Sequence, residues 1–360
     1  MIFGIMLFIK YNFRKEDKMI YFRNDYSEGA HPKVLEALTL TNMEQTLGYG
    51  DDFYCQEAAQ LIKDKIGAPN SDVHFFVGGT QTNFTALSSF MRPHEAVISP
   101  ARGHICVHET GAVEATGHKI IAMPTSDAKL KVSQIDEAVI FHCDEHMVKP
   151  KVVYITDSTE LGTVYTKKEL EEISAKCKEH NLYLYLDGAR LASALTSPGC
   201  DITLNDLVRL TDAFYIGGTK NGLLFGEAIV INNENLKQDF RYIMKQKGGL
   251  LAKGRLLGVQ FKTLFKDNLY YEMAQHANDM AEILRNGISQ LGYDFFSNST
   301  TNQIFPIFPN EIVSELEKIC SFEHEGPVGD SHEAIRFVTS WATPTTDVLE
   351  LLEELRKLTK

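Results

Sequence analysis

From His74 to Ile231 the chain alternates short apolar runs with helix-patterned stretches, and that alternation restricts it to a mostly parallel α/β sheet. HFFV (His74–Val77) runs into a glycine-rich turn and a helical pattern over Gln81–Met91. VVYIT (Val152–Thr156) precedes Lys168–His180, where Leu170, Ile173 and Cys177 recur at helical spacing on a charged background. LYLYL (Leu182–Leu186) follows as a buried strand, then AFYIG (Ala213–Gly217) and AIVI (Ala228–Ile231). From about Lys253 onward helical patterns dominate, over Leu256–Lys266, Tyr270–Leu291 and Thr346–Leu358. Two strand-like pieces lie among them, QIFPIF (Gln303–Phe308) and AIRFVTS (Ala334–Ser340). The expected organisation is a large α/β domain over residues 42–252 and a smaller α+β domain over 253–360. Residues 19–41 join the small domain, and residues 1–18 form an extension outside the fold.

A chain of 360 residues accommodates two such units. Its net charge of -12 argues against nucleic acid as a partner, because phosphate backbones need clustered Lys and Arg. The six cysteines are scattered with no CxxC pair, which fits reduced thiols in a cytoplasmic protein rather than a disulfide framework or a metal site. Met1–Ile9 is apolar but only about half the length of a membrane span. It also lacks a basic lead-in and a small-residue cleavage site, so neither a membrane anchor nor a secretory signal is expected. Met19 stands just before the interpretable pattern begins.

In open parallel sheets, ligands bind beyond the carboxyl ends of the strands. Three segments place polar groups at that edge: Asp187 ends its strand in YLYLDGARL, Lys220 follows its strand in YIGGTKNG, and Gly78, Gly79 and Thr80 follow theirs in FFVGGTQTN. Singly, each has an ordinary reading as a strand-end acid, a solvated lysine or a tight packing turn. Together they describe a pyridoxal-phosphate site. That cofactor needs an amine for its aldehyde (Lys220), an acid opposite its pyridine nitrogen (Asp187) and an anion cradle. Backbone N–H groups of Gly79 and Thr80 at a helix start, with the Thr80 hydroxyl, would supply the cradle. His104, in SPARGHICVHETGA, is the candidate aromatic plate over the ring.

These motifs, in their order and spacing, resemble the low-specificity threonine aldolases of the β-eliminating lyase group, which have the aspartate-aminotransferase-like fold (fold type I). The resemblance runs from FRNDYSEGAHPKVLEAL (Phe22–Leu38) through LGYGDD (Leu47–Asp52), FVGGTQTN, GHICVHETGA, TELGTVY (Thr159–Tyr165), LDGARL and TKNG to AIRFVTS. It implies retro-aldol cleavage of L-threonine or L-allo-threonine to glycine and acetaldehyde, in a homodimer or homotetramer with interfacial sites. It implies that His104 stacks on the cofactor and assists with the substrate hydroxyl proton, and that His146, in DEHMVKPK, reaches the same hydroxyl. Arg190 would bridge cofactor and substrate carboxylate, Arg336 would be the main carboxylate clamp, and Thr219 beside Lys220 would contact the cofactor.

Two positions depart from the family pattern. Asn24 stands where many relatives have a serine and would contact the substrate carboxylate. Ala252 stands nearest to a family arginine that reaches a neighbouring subunit's phosphate, leaving Lys253 or Arg255 as substitutes. Other readings stay open. Arg190 could pair with a carboxylate at a helix start. Arg336, in an apolar strand, needs a bound anion or an internal acid as partner. Glu109 reads as a site residue or a solvated acid, and Tyr49 leans towards a core aromatic. Rival functions are a β-elimination lyase and an inactive scaffold. A dinucleotide enzyme is disfavoured because no GxGxxG follows an early strand.

Overall fold

The structure, a computed structural model, describes residues 19–359. The extension expected over residues 1–18 lies outside them. Seven strands form the main sheet: β1 (Asp72–Phe76), β2 (Glu95–Pro100), β3 (Lys119–Met123), β4 (Lys149–Thr156), β5 (Tyr183–Asp187), β6 (Ala213–Gly217) and β7 (Glu227–Ile231). Their order is β1-β7-β6-β5-β4-β2-β3. Only β7 is antiparallel to its neighbours, pairing so with β1 and with β6. β2 and β3 are additional to the expected strands. Their polar ends, Glu95 and Lys119, blur the apolar signal of short strands.

Side-chain alternation divides the sheet cleanly between two apolar layers. Val153, Ile155, Leu184, Leu186, Phe214 and Ile216 pack on one face. Val152, Tyr154, Tyr185, Ala213 and Tyr215 pack on the other. Three adjacent strands thus contribute three fully buried tyrosines to one face, an arrangement that needs polar partners for their hydroxyls. Flanking helices begin and end on local chemistry. The Asp52 carboxylate accepts the Cys55 N–H at 2.9 Å to start Phe53–Ile66, and Gly67, at φ 68°, ends it in the left-handed region. Thr166 and Glu169 exchange reciprocal bonds at the start of Lys167–Glu179.

A second core gathers Phe22, Leu284, Phe308, Ile335, Phe337 and Leu351. Here His332–Val338 pairs antiparallel with Ile307–Pro309 and Glu323–Val328, while Ile20–Tyr21 lies parallel to Cys320–Ser321. The helix Leu269–Gln290 connects the cores: Tyr270 and Met273 pack in the first, Leu284 and Ile288 in the second.

Two expectations are corrected. QIFPIF is not one strand but two pieces, Gln303–Ile304 and Ile307–Pro309, because Pro306 has no N–H to continue a ladder. Tyr49 is not a core residue; it is 45% exposed, at φ 61°, under the Lys245 ammonium. All six cysteines are unpaired, and among the described residues no helix is long and apolar enough to cross a membrane.

Candidate active site

A cavity of about 510 Å³ opens where β1, β4, β5 and β6 end, and the antiparallel β7 begins at this same edge. Asp187, last residue of β5, is buried there with its carboxylate held by three donors. Asn83 Nδ2 reaches Oδ2 at 2.8 Å, the Tyr154 hydroxyl reaches it at 2.7 Å, and the Ala189 N–H donates to Oδ1 at 3.0 Å. Charge-assisted bonds of this length fix the carboxylate's orientation. Burial, then the adjacent Asp187 charge, pushes the Tyr154 phenol well above its usual range, so it stays a donor.

Lys220, in the turn after β6, lines the cavity with Thr219. Burial and then the Arg190 guanidinium hold its ammonium below the usual lysine value, as suits a nucleophilic amine. The turn Gly78–Thr80 lies along the same cavity and starts the helix Gly79–Phe90. No side chain caps that helix, so its first N–H groups are left for a ligand. A Cβ on Gly79 would stand 2.9 Å from the Tyr215 hydroxyl, which explains a glycine at this close approach.

Both candidate arginines face the cavity, in different states. Arg190 is anchored by Asp25: Nε donates to Oδ2 at 2.7 Å and Nη2 to Oδ1 at 3.0 Å. Burial works to raise the Asp25 carboxyl, but Arg190 and Lys220 overcome it and hold the group below the carboxylate range. Arg336 has an internal acid nearby, Glu325, with Nη1 at 3.7 Å from its Oε1. That is too long for a hydrogen bond, and Arg336 Nε is buried with no partner. An unpaired guanidinium N–H at a cavity is a site for an anionic oxygen.

His104 lies after β2 and also lines the cavity. Its Nδ1 is 2.8 Å from Glu109 Oε1, which also accepts from Asn83 at 2.8 Å. A carboxylate only accepts, so Nδ1 carries the proton and Nε2 is left as the basic nitrogen. Asn83 therefore ties Asp187 to the His104–Glu109 pair, and its own Oδ1 accepts from the Tyr185 hydroxyl at 3.0 Å. Glu109 is a buried site residue rather than a solvated acid.

Other predicted positions lie apart from this cavity. His146 is exposed in the turn before β4, its N–H donating to Asp144. Asn24 Oδ1 accepts from Tyr26 N–H and the Ser27 hydroxyl, and its neighbour Asp25 does the pairing with Arg190. Arg255 donates to the Thr41 and Asn42 carbonyls at 2.7 and 3.0 Å, whereas Lys253 is exposed. Sequence reasoning missed His108, Glu160, Tyr215 and Glu227, all lining the cavity. His108 was findable as the residue one helical turn after His104. Glu160, which follows β4, was findable by the edge rule that located Asp187. It accepts the His104 N–H at 2.8 Å, and burial pushes its carboxyl up to about 7.

A family profile described as beta-eliminating lyase matches residues 22–310. A low specificity L-threonine aldolase from a Pseudomonas species is 33% identical over 343 residues, spanning 94% of this chain and 98% of that relative. One from Pseudomonas aeruginosa is 31% identical over 342 residues, spanning 93% and 96%. The solved structure of Leishmania major threonine aldolase superposes with a TM-score of 0.93 at 51% identity, covering 94% of this chain and 99% of that one. A Thermus thermophilus aspartate aminotransferase superposes at 0.70 with 14% identity, covering 95% and 92%, a likeness of fold alone.

Proposed function

The chain belongs to the beta-eliminating lyase family, and we infer that it is a threonine aldolase, cleaving L-threonine, L-allo-threonine and related β-hydroxy-α-amino acids to glycine and an aldehyde. The observation that carries this reading is the meeting in one cavity of a low-pKa lysine, a three-fold anchored carboxylate and an arginine with an unpartnered N–H.

The same donor set fits pyridoxal phosphate. Lys220 offers the amine for its aldehyde and Asp187 the carboxylate for its ring nitrogen. Gly79, Thr80 and Thr219 line the cavity where the uncapped helix start would hold its phosphate. When bound, that cofactor supplies a cationic ring conjugated with the substrate's amino nitrogen, into which electron density can be drawn.

The chain's own groups then have distinct tasks. Arg336 binds the substrate carboxylate through its guanidinium, and Arg190, held by Asp25, contributes a second cation to the same cavity. His104 Nε2 takes the β-hydroxyl proton, because Nδ1 is committed to Glu109. As that proton leaves, the Cα–Cβ bond opens and the aldehyde departs. Glu160 and Arg336 border the cavity.

The reading is tested by product analysis with added pyridoxal phosphate. L-threonine should yield glycine and acetaldehyde in equal amounts, and Lys220→Ala should abolish turnover. Formation of a 2-oxoacid with ammonia would instead make the enzyme a β-elimination lyase.

The assembly reading is a homo-oligomer with Lys253 at the interface. Supporting it, Leu40, Met43, Leu47 and Phe53 are exposed together along one segment. The loop carrying Lys253 packs on that segment, with the Tyr49 N–H donating to the Leu251 carbonyl at 3.0 Å. An apolar cluster of this kind marks an interaction surface. Light scattering of the purified protein should give at least twice the chain mass, and a monomer at working concentration would refute the assembly.

A further inference from the structure

The strand Glu323–Val328, which pairs with the strand carrying Arg336, contains a bulge. His324 stands opposite Ile335 and Gly326 opposite Ala334, so Glu325 has no residue across from it. A bulge re-aims the side chain it carries, and here the Glu325 carboxylate comes to stand between two arginines. Its Oε1 is 3.7 Å from Arg336 Nη1, and its Oε2 is 3.7 Å from Arg102 Nη1. Both distances suit ion pairs, and neither suits a hydrogen bond. Arg102 comes from the loop after β2, two residues before His104, and its guanidinium also lies 5.8 Å from the centre of the Phe296 ring. Glu323, the neighbouring acid of the strand, is taken by Arg23 Nε at 2.6 Å. Glu325 is therefore the acid within reach of the clamp.

Arg190 shows what a guanidinium does with a carboxylate it is meant to keep: it closes on Asp25 with two hydrogen bonds. Arg336 has not closed on Glu325, and its Nε has no partner among the described residues. We propose that Arg102 is a positioning residue for the substrate clamp: it draws Glu325 back from Arg336, so that the Arg336 guanidinium stays open for the substrate carboxylate.

Charge explains the balance. With Arg102 present, Glu325 divides its attraction between two cations at equal distance. Without Arg102, the half-buried carboxylate has one of these cations left. Closing the remaining gap to Arg336 by about 1 Å then gains a charge-assisted hydrogen bond. An incoming substrate carboxylate would have to displace that internal one. Glu325 thus keeps the clamp neutralised while it waits, and Arg102 keeps it from being occupied.

The proposal rests on the aldolase reading with Arg336 as its clamp, and the test separates these claims. Threonine cleavage by the cofactor-loaded full chain is compared for wild type, Arg102→Met, Glu325→Gln and the double variant, and glycine affinity is read from the change in cofactor absorbance. Arg102→Met keeps an unbranched side chain over Phe296 but removes the charge. It should raise KM for threonine and weaken glycine binding about tenfold, with kcat little changed. Adding Glu325→Gln should restore both, because a neutral amide competes poorly for a guanidinium. Glu325→Gln alone should bind glycine at least as tightly as wild type, and Arg102→Lys, which keeps the charge, should retain most of the affinity. A merely structural role for Arg102 predicts a defect that Glu325→Gln leaves in place. That result, or an unchanged KM in Arg102→Met, would overturn the inference and leave the aldolase reading intact. Wild-type protein that releases no acetaldehyde from threonine would overturn the aldolase reading and the inference with it.

Discussion

At the scale of single residues, the site is built by fixing groups whose protons matter. Asp187, Asn83, Glu109 and His104 form a chain of bonds, each 2.8 Å, so the orientation of the Asp187 carboxylate and the tautomer of the histidine are set together. This leads to a specific expectation for Glu109→Gln. A neutral amide at 109 no longer offsets the positive charge that His104 gains on taking the hydroxyl proton. Threonine cleavage should fall on the order of 10²-fold in kcat. Unchanged kcat would remove the His104–Glu109 pair from the mechanism. Asp187, Lys220 and the Gly79–Thr80 turn were legible in the sequence because each directly follows an apolar run, and strand ends are where such sheets bind ligands. Asn83 and Glu109 were not assigned partners there, because bonds to Asp187 and His104 depend on how two helices enter the sheet. Asp25 escaped for the same reason: its partner Arg190 is 165 positions away.

At the scale of elements, the apolar runs and helical spacings gave most boundaries within a few residues. What they could not give is direction. AIVI reads the same parallel or antiparallel, yet only the antiparallel course of β7 carries Glu227 to the site edge. The helix Arg255–Lys266 shows how closely elements approach. A Cβ on its Gly258 would sit 2.4 Å from Cys55 N and 2.6 Å from Tyr54 C, in the backbone of the facing helix Phe53–Ile66. Backbone cannot yield as a flexible side chain can. Gly258→Ala should therefore cost about 1–3 kcal/mol through overpacking, outweighing the gain of up to about 1 kcal/mol from alanine's helix propensity. Thermal unfolding should show a lowered Tm, and an unchanged or raised Tm would mean the two helices part without cost.

At the scale of the whole molecule, buried acids make stability depend on pH in a direction that can be worked out. Asp157, just past β4, is 2% exposed, and burial pushes its carboxyl up to about 8. The unfolded chain releases this proton near the ordinary aspartate value, about 3.9. The folded protein thus binds the extra proton between roughly pH 4 and pH 8, and Asp157 weakens the fold progressively as pH rises through that window. Asp157→Asn should match the wild type in stability near pH 4. It should exceed it by about 1.4 kcal/mol more for each unit up to pH 8. A difference that stays flat with pH would show that Asp157 is ionised in the folded protein. That Lys220 carries pyridoxal phosphate is open to one direct measurement: treating the cofactor-loaded protein with borohydride and mapping the reduced adduct by peptide mass spectrometry. One reduced adduct is expected, on Lys220, with a lower yield when glycine is added first. An adduct on another lysine, or no adduct at all, would contradict it.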